Sequence, residues 1–318
     1  MFNISKKYIQ PRYKDKEGFE ITMKIEVILS NILFFLFLLF IVRYYISGYL
    51  DNEQKEGFIQ KESFVLKLEQ QVYDDFYANV YDRILIPLPR IEKCINSLLK
   101  TEPYTENSTF LDIGSGTGMF ANTLYEKGYH VIGIDMSEDM IEYSQKKYPS
   151  ITFIEGDVMI PMQFESNSFT YICCVDFTIY FFLDKPALFR NIYSWLTTGG
   201  YLCLHLIDPD HFNTIIPSGK PAKINDFQKY IPTISTSTGG IETLVEFEEF
   251  SYKSKYEVQP RKWKWIETFT DKKTNHVRQH ERSLFIDSIE NMVFLVEKNG
   301  FKKIDMYSDK NYFIFKKI

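Results

Sequence analysis

Residues 110–118 read FLDIGSGTG: an apolar pair, an acid, and three glycines on alternate positions. The run TFLDIGS has the length and apolar density of a buried strand, and Met119–Lys127 after it has helical periodicity, closed by Gly128. A glycine-rich turn between a strand and a helix brings bare backbone against a ligand and aims the helix N-terminus at it. The spacing Gly114-x-Gly116-x-Gly118 departs from the Gly-x-Gly-x-x-Gly fingerprint of dinucleotide sites, because Met119 stands where that fingerprint has its last glycine. No Lys-Ser or Lys-Thr pair follows, which excludes a phosphate-binding P-loop. Asp112, just ahead of Gly114, repels phosphate and favours a ligand that is positively charged in part.

Working outward, HVIGIDM, ITFIEGD, FTYICCVD and GYLCLHLID read as further buried parallel strands. Helices fit between them: Ser137–Lys147 with Ser137 as N-cap, and Lys185–Leu196 after Asp184 with Pro186 in its first turn. Late in the chain Ser288 caps IENMVFLVEKNGF, Gly300 closes that helix, and KKIDMYS and YFIFKKI follow as two strands. The alternation predicts an α/β domain. Asp135 ends the second strand where an acid accepts hydrogen bonds from a ribose diol. Asp157 ends the third, where it can accept from an exocyclic adenine amine while the Val158 backbone addresses the ring.

With three acids ending three consecutive strands, the chain resembles the class I S-adenosylmethionine-dependent methyltransferases over about Tyr73–Ile318. LDIGSGTG matches that family's first motif, GIDMS and EGDV match its acidic second and third, and WLTTGGYLCL is similar to the turn before its fifth strand. The resemblance implies a three-layer Rossmann-like sandwich with a mostly parallel seven-stranded sheet ending in an antiparallel hairpin, and S-adenosylmethionine as cofactor. It further implies that Asp112 and the loop of Gly114, Ser115, Gly116 and Gly118 hold the methionine part, Asp135 the ribose, Met136 the adenine face, and Asp157 with Val158 the adenine edge. VYDDFYANVYDRIL resembles the helix that closes over the cofactor, with Tyr73, Tyr77 and Tyr81 at helical spacing; a plain core stripe is the alternative.

A sulfonium methyl is already activated, so its in-line transfer needs alignment and an unprotonated acceptor more than a strong base. The acceptor is expected near the fourth strand's end, VDFTIYF, which makes Asp176, Thr178 and Tyr180 the catalytic candidates. His205 on the fifth strand suits a base near neutral pH or a core position, and His211 beyond it is a weaker candidate. DFTIY stands where methyltransferases of nucleobase amines carry an Asn/Asp-Pro-Pro-aromatic run, which argues against such acceptors. The net charge of −5 provides no global field for nucleic acid. Cys94, Cys173, Cys174 and Cys203 have neither disulfide-scaffold density nor metal-ligand spacing, and read as reduced core residues.

Residues 209–287 form an insertion expected to lay an antiparallel β cap over the cofactor mouth. In RKWKW, Lys262 and Lys264 face one side and Trp263 and Trp265 the other, as a solvated face over a core or as an RNA-binding patch. Ahead of the domain, 64–318, lie a polar tail over 1–24, an expected transmembrane helix over 25–46 and a linker over 47–63. Val27–Val42 is uncharged, and Tyr44 and Tyr45 suit a membrane interface. The basic tail favours an outward domain, whereas the free cysteines and a cofactor made in the cytosol favour a cytosolic one. The reading is a membrane-tethered, single-pass methyltransferase acting on a nitrogen or oxygen of a small molecule, lipid or peptide. A catalytically silent scaffold at a membrane and an RNA methyltransferase are the alternatives.

Overall fold

The computed structural model describes residues 13–14, 20–21, 31–43, 60–85, 88–101, 108–209, 233–237, 240–247, 249–306 and 311–318. The chain divides into two units, Met1–Ile59 and Gln60–Ile318. In the first, β1 (Tyr13–Lys14) pairs antiparallel with β2 (Glu20–Ile21), and α1 covers 31–43. Of the transmembrane helix expected over 25–46, residues 31–43 are described, and they are helical. Residues 31–43 reach about 20 Å at about 1.5 Å per residue, against a hydrocarbon core of roughly 30 Å. Among the described residues, no helix is long and apolar enough to cross a membrane. The rest of 25–46, Tyr44 and Tyr45 included, lies outside them.

The second unit runs β3 (Phe64–Leu68), a 3-10 turn (Glu69–Val72), α2 (Asp75–Leu85), α3 (Leu88–Thr101), β4 (Thr109–Ile113), α4 (Met119–Glu126), β5 (His130–Asp135), α5 (Glu138–Lys147) and β6 (Thr152–Glu155). It continues with β7 (Phe169–Cys174), a 3-10 turn (Thr178–Phe181), α6 (Lys185–Trp195), β8 (Leu196–His205), β9 (Thr233–Ser237), β10 (Gly240–Glu246), β11 (Phe250–Glu257), β12 (Trp263–Asp271) and β13 (Val277–Leu284). It closes with α7 (Ile289–Lys298), β14 (Phe301–Met306) and β15 (Tyr312–Lys317).

The central sheet has the order β14-β15-β8-β7-β4-β5-β6. Its strands run parallel except at β15, which pairs antiparallel with β8 and β14. Successive side chains of each strand enter different cores, as a sheet buried on both faces requires. Leu111, Ile172 and Leu202 join α6 and α7, while Phe110, Tyr171 and Cys203 join α3 and α4. The three-layer expectation therefore holds. The neighbours Cys173 and Cys174 fall in opposite cores, and all four cysteines are free and buried. The expected caps form: Ser137, Asp184 and Ser288 accept from the amides of Met140 (3.1 Å), Ala187 (3.0 Å) and Asn291 (3.2 Å).

The cap is a second sheet, β3-β13-β12-β11-β10-β9. Four of its pairings are antiparallel as expected, but β3 joins the edge parallel to β13, a pairing the sequence did not announce. Trp263 and Trp265 are 3% exposed and enter the core shared with the central sheet, while Lys262 and Lys264 are exposed.

Candidate active site

Parallel register aligns the ends of β4, β5, β6 and β7, and the loops that leave them enclose a cavity of about 240 Å³. Gly114 and Gly116 line it from the first loop, Asp135 and Met136 from the second, and Asp157 and Val158 from the third. Asp176 comes from the fourth, and Tyr73 and Tyr81 close the N-terminal side.

The glycine loop offers room rather than amides. Gly114 and Ser115 donate to Ile134 O at 2.8 and 3.0 Å, Gly116 to Asp135 Oδ2 at 2.9 Å, and Gly118 to Ser115 O at 2.9 Å. These four amides hold the loop's own shape, so the bare backbone expected against the ligand presents space there and not donors. Gly116 has φ +50°, and a Cβ there would meet nothing within 4 Å, so the bare backbone borders open space. Gly118, in the left-handed N-cap of α4, serves packing instead: a Cβ would lie 2.6 Å from the Phe153 ring. Gly118 and Ser115 are not among the lining residues. Ser115 is buried, and its Oγ has no hydrogen-bond partner among the described residues.

Asp112 sits beneath the loop, 1% exposed, with no hydrogen-bond partner for Oδ2 among the described residues. Burial first, then the charges of Asp176 and Asp135, push its carboxyl up to about 8, against an ordinary 3.8. Such a group asks for a cation. Asp135 accepts from Gly116 and, at 3.0 Å, from the Ser137 amide. Burial raises its carboxyl while these amide bonds pull it back. Each carboxylate oxygen keeps capacity for a further donor, as a ribose diol requires. Asp157 accepts from Met159 N at 2.8 Å and turns the third loop across the cavity.

Of the tyrosine stripe, Tyr73 and Tyr81 line the cavity, whereas Tyr77 is fully buried and donates to Glu267 of the cap. Tyr73 lies just before α2; its carbonyl accepts from Ser137 Oγ at 2.5 Å. The helix is tied to the glycine loop at its other end, where Thr117 Oγ1 donates to Asp82 at 2.6 Å and Lys147 pairs with the same carboxylate.

The catalytic candidates separate. Asp176 lines the cavity and, like Phe177 after it, has positive φ (49° and 69°), a strained pair of non-glycine residues that carries the fourth loop inward. Thr178 also lines the cavity, against Gly114. Tyr180 does not. It is fully buried, and its hydroxyl accepts the Ile207 amide at 2.8 Å, a structural task away from the cavity where the catalytic candidates were expected. His205 is 5% exposed and packs between Phe177 and Tyr312, also away from the lining, and His211 lies outside the described residues. Sequence reasoning missed Asp82, and Glu267 and Arg282 of the cap. The one available signal was Glu267 in the apolar phase of Trp263-x-Trp265-x-Glu267-x-Phe269.

The donor set fits S-adenosylmethionine, with a buried carboxylate for its cationic methionine end, Asp135 for the ribose and Asp157 with Met136 for the base. Comparison with known proteins agrees. Residues 110–200 match the methyltransferase domain family model. YqeM of Bacillus subtilis (strain 168), which carries a provisional methyltransferase name, is 27% identical over 188 residues, 57% of this chain and 72% of YqeM. Phosphoethanolamine N-methyltransferase 1 of Arabidopsis thaliana is 37% identical over 94 residues, 28% of this chain and 19% of that enzyme. The CcbJ methyltransferase from Streptomyces caelestis superposes with TM-score 0.59 at 15% identity, covering 77% of this chain and 97% of CcbJ, a likeness of fold. The second unit therefore has the class I S-adenosylmethionine-dependent methyltransferase fold; it is a methyltransferase enzyme domain, and its cofactor is S-adenosylmethionine.

Proposed function

We propose that the chain transfers the methyl group of S-adenosylmethionine to a nitrogen or oxygen of a small molecule, with an amine as the favoured acceptor. The observation that carries this reading is the acidity of the cavity: Asp135, Asp157 and Asp176 line it, and no Lys, Arg or His is among the described residues that do. When bound, the cofactor supplies a methyl group on a sulfonium. In this reading the carboxylates orient its charged end, Phe181 and Phe182 help exclude water, and Asp176, which lines the cavity, attracts a cationic amine and takes its proton. The plant phosphoethanolamine enzyme, an N-methyltransferase by name, supports the amine. Labelled-methyl transfer to a panel of amines and alcohols tests this. Cofactor binding without transfer to any acceptor would favour the silent scaffold.

The RNA reading loses its support, because the cap tryptophans that would stack on bases are buried. A membrane location is proposed with it, the catalytic domain on the cytosolic side. Its support is α1, where Ile32 to Phe40 are all large apolar side chains and all exposed. Release of the full-length chain from membranes by a carbonate wash would overturn it.

A further inference from the structure

Glu267 on β12 and Arg282 on β13 form an ion pair inside the cap, 0% and 2% exposed. The carboxylate is saturated: Tyr77 Oη donates to Oε1 and Oε2 (3.0 and 2.9 Å), and Tyr252 Oη to Oε1 at 2.6 Å. The guanidinium lies 3.8 Å from the Trp265 ring centroid. Its Nη2 donates to Tyr77 Oη at 3.1 Å, and its Nη1 to Tyr73 Oη at 3.1 Å. A buried ion pair is a poor device for stability alone, since an apolar pair packs as well without the desolvation cost. Its geometry, however, fixes direction.

Tyr73 links the two halves of the domain. It lines the cavity, its ring meets Phe181 edge-on at 6.1 Å, and its carbonyl holds Ser137, whose amide holds Asp135. A contiguous chain of contacts thus runs from Glu267 through Arg282, Tyr73 and Ser137 to the expected ribose carboxylate. We propose that Arg282, oriented by Glu267, is a positioning residue that fixes Tyr73 over the cofactor, so that the cap sheet governs how long the cofactor and its demethylated product are retained. The proposal rests on the reading of the cavity as the S-adenosylmethionine site.

The test uses the full-length chain, with calorimetry for S-adenosylmethionine and stopped-flow displacement of S-adenosylhomocysteine. Tyr73→Phe removes only a hydroxyl. It is expected to release the product about tenfold faster, the loss of one charge-assisted hydrogen bond, and to lower the unfolding midpoint modestly because Arg282 Nη1 loses an acceptor. Arg282→Lys keeps the charge without the fork and is expected to fall between the two. Cofactor is expected to change Trp265 emission in the parent, identified by its loss in Trp265→Phe, and to leave emission unchanged in Tyr73→Phe at saturation. A purely structural cluster would not move that signal. If the parent binds cofactor and Tyr73→Phe releases product at the parent rate, the proposal is overturned, whether or not Arg282→Lys folds. If the parent binds no S-adenosylmethionine, the cavity reading fails first and this falls with it.

Discussion

Gly116 gives its amide to Asp135 Oδ2 at 2.9 Å, so the carboxylate expected to hold the ribose also holds the glycine loop. Removing it acts twice. Asp135→Ala is expected to weaken S-adenosylmethionine binding on the order of a hundredfold, from two charge-assisted hydrogen bonds, and to lower the unfolding midpoint as well. Calorimetry and thermal unfolding of the same samples check this. A stable variant with parental affinity would remove Asp135 from the site.

Asp112 gives a pH dependence of defined sign. Its carboxyl titrates at about 8 in the folded chain and near the ordinary 3.8 when unfolded, so the protonated form favours folding. That stability is present below 3.8 and is lost as pH rises through about 8. A cation bound beside it favours the ionised form, so S-adenosylmethionine is expected to bind more tightly as pH rises toward 8, with proton release. Asp112→Asn is expected to flatten the stability profile, raise the cofactor-free unfolding midpoint at pH 8, and weaken binding. Calorimetry in buffers of different ionisation enthalpy reads the released proton directly.

Two glycines of one loop are expected to fail differently. Gly118→Ala puts a methyl 2.6 Å from the Phe153 ring at φ +81°, and is expected to cost about 2 kcal/mol or more of stability. Gly116→Ala meets open space, so only the left-handed backbone is strained, at about 1–2 kcal/mol, while the methyl intrudes on the cofactor cradle. Urea unfolding beside cofactor titration separates the two losses.

Tyr180→Phe leaves the buried Ile207 amide without its acceptor and is expected to cost about 1–3 kcal/mol of stability. Turnover per folded molecule is expected to stay at the parental value. A large fall in kcat with stability unchanged would return Tyr180 to the chemistry.

The strand and helix order, the caps at Ser137, Asp184 and Ser288, and the placing of Asp112, Asp135 and Asp157 at strand ends were legible in the chain itself. Each depends on apolar period or on a side chain reaching an amide three residues away. The two faces of RKWKW were legible for the same reason, since alternate residues of a strand must point apart.

The architecture of the second unit and the acids near its strand ends are written in local periodicity and motif spacing. Folding added that burial pushes the Asp112 carboxyl up to about 8, that Tyr180 serves Ile207, and that β3 completes the cap. It alone brought Arg282 to Tyr77, 205 positions away in the chain. Burial and charge proximity are properties of the folded volume, and a linear pattern carries no record of which distant side chains share it.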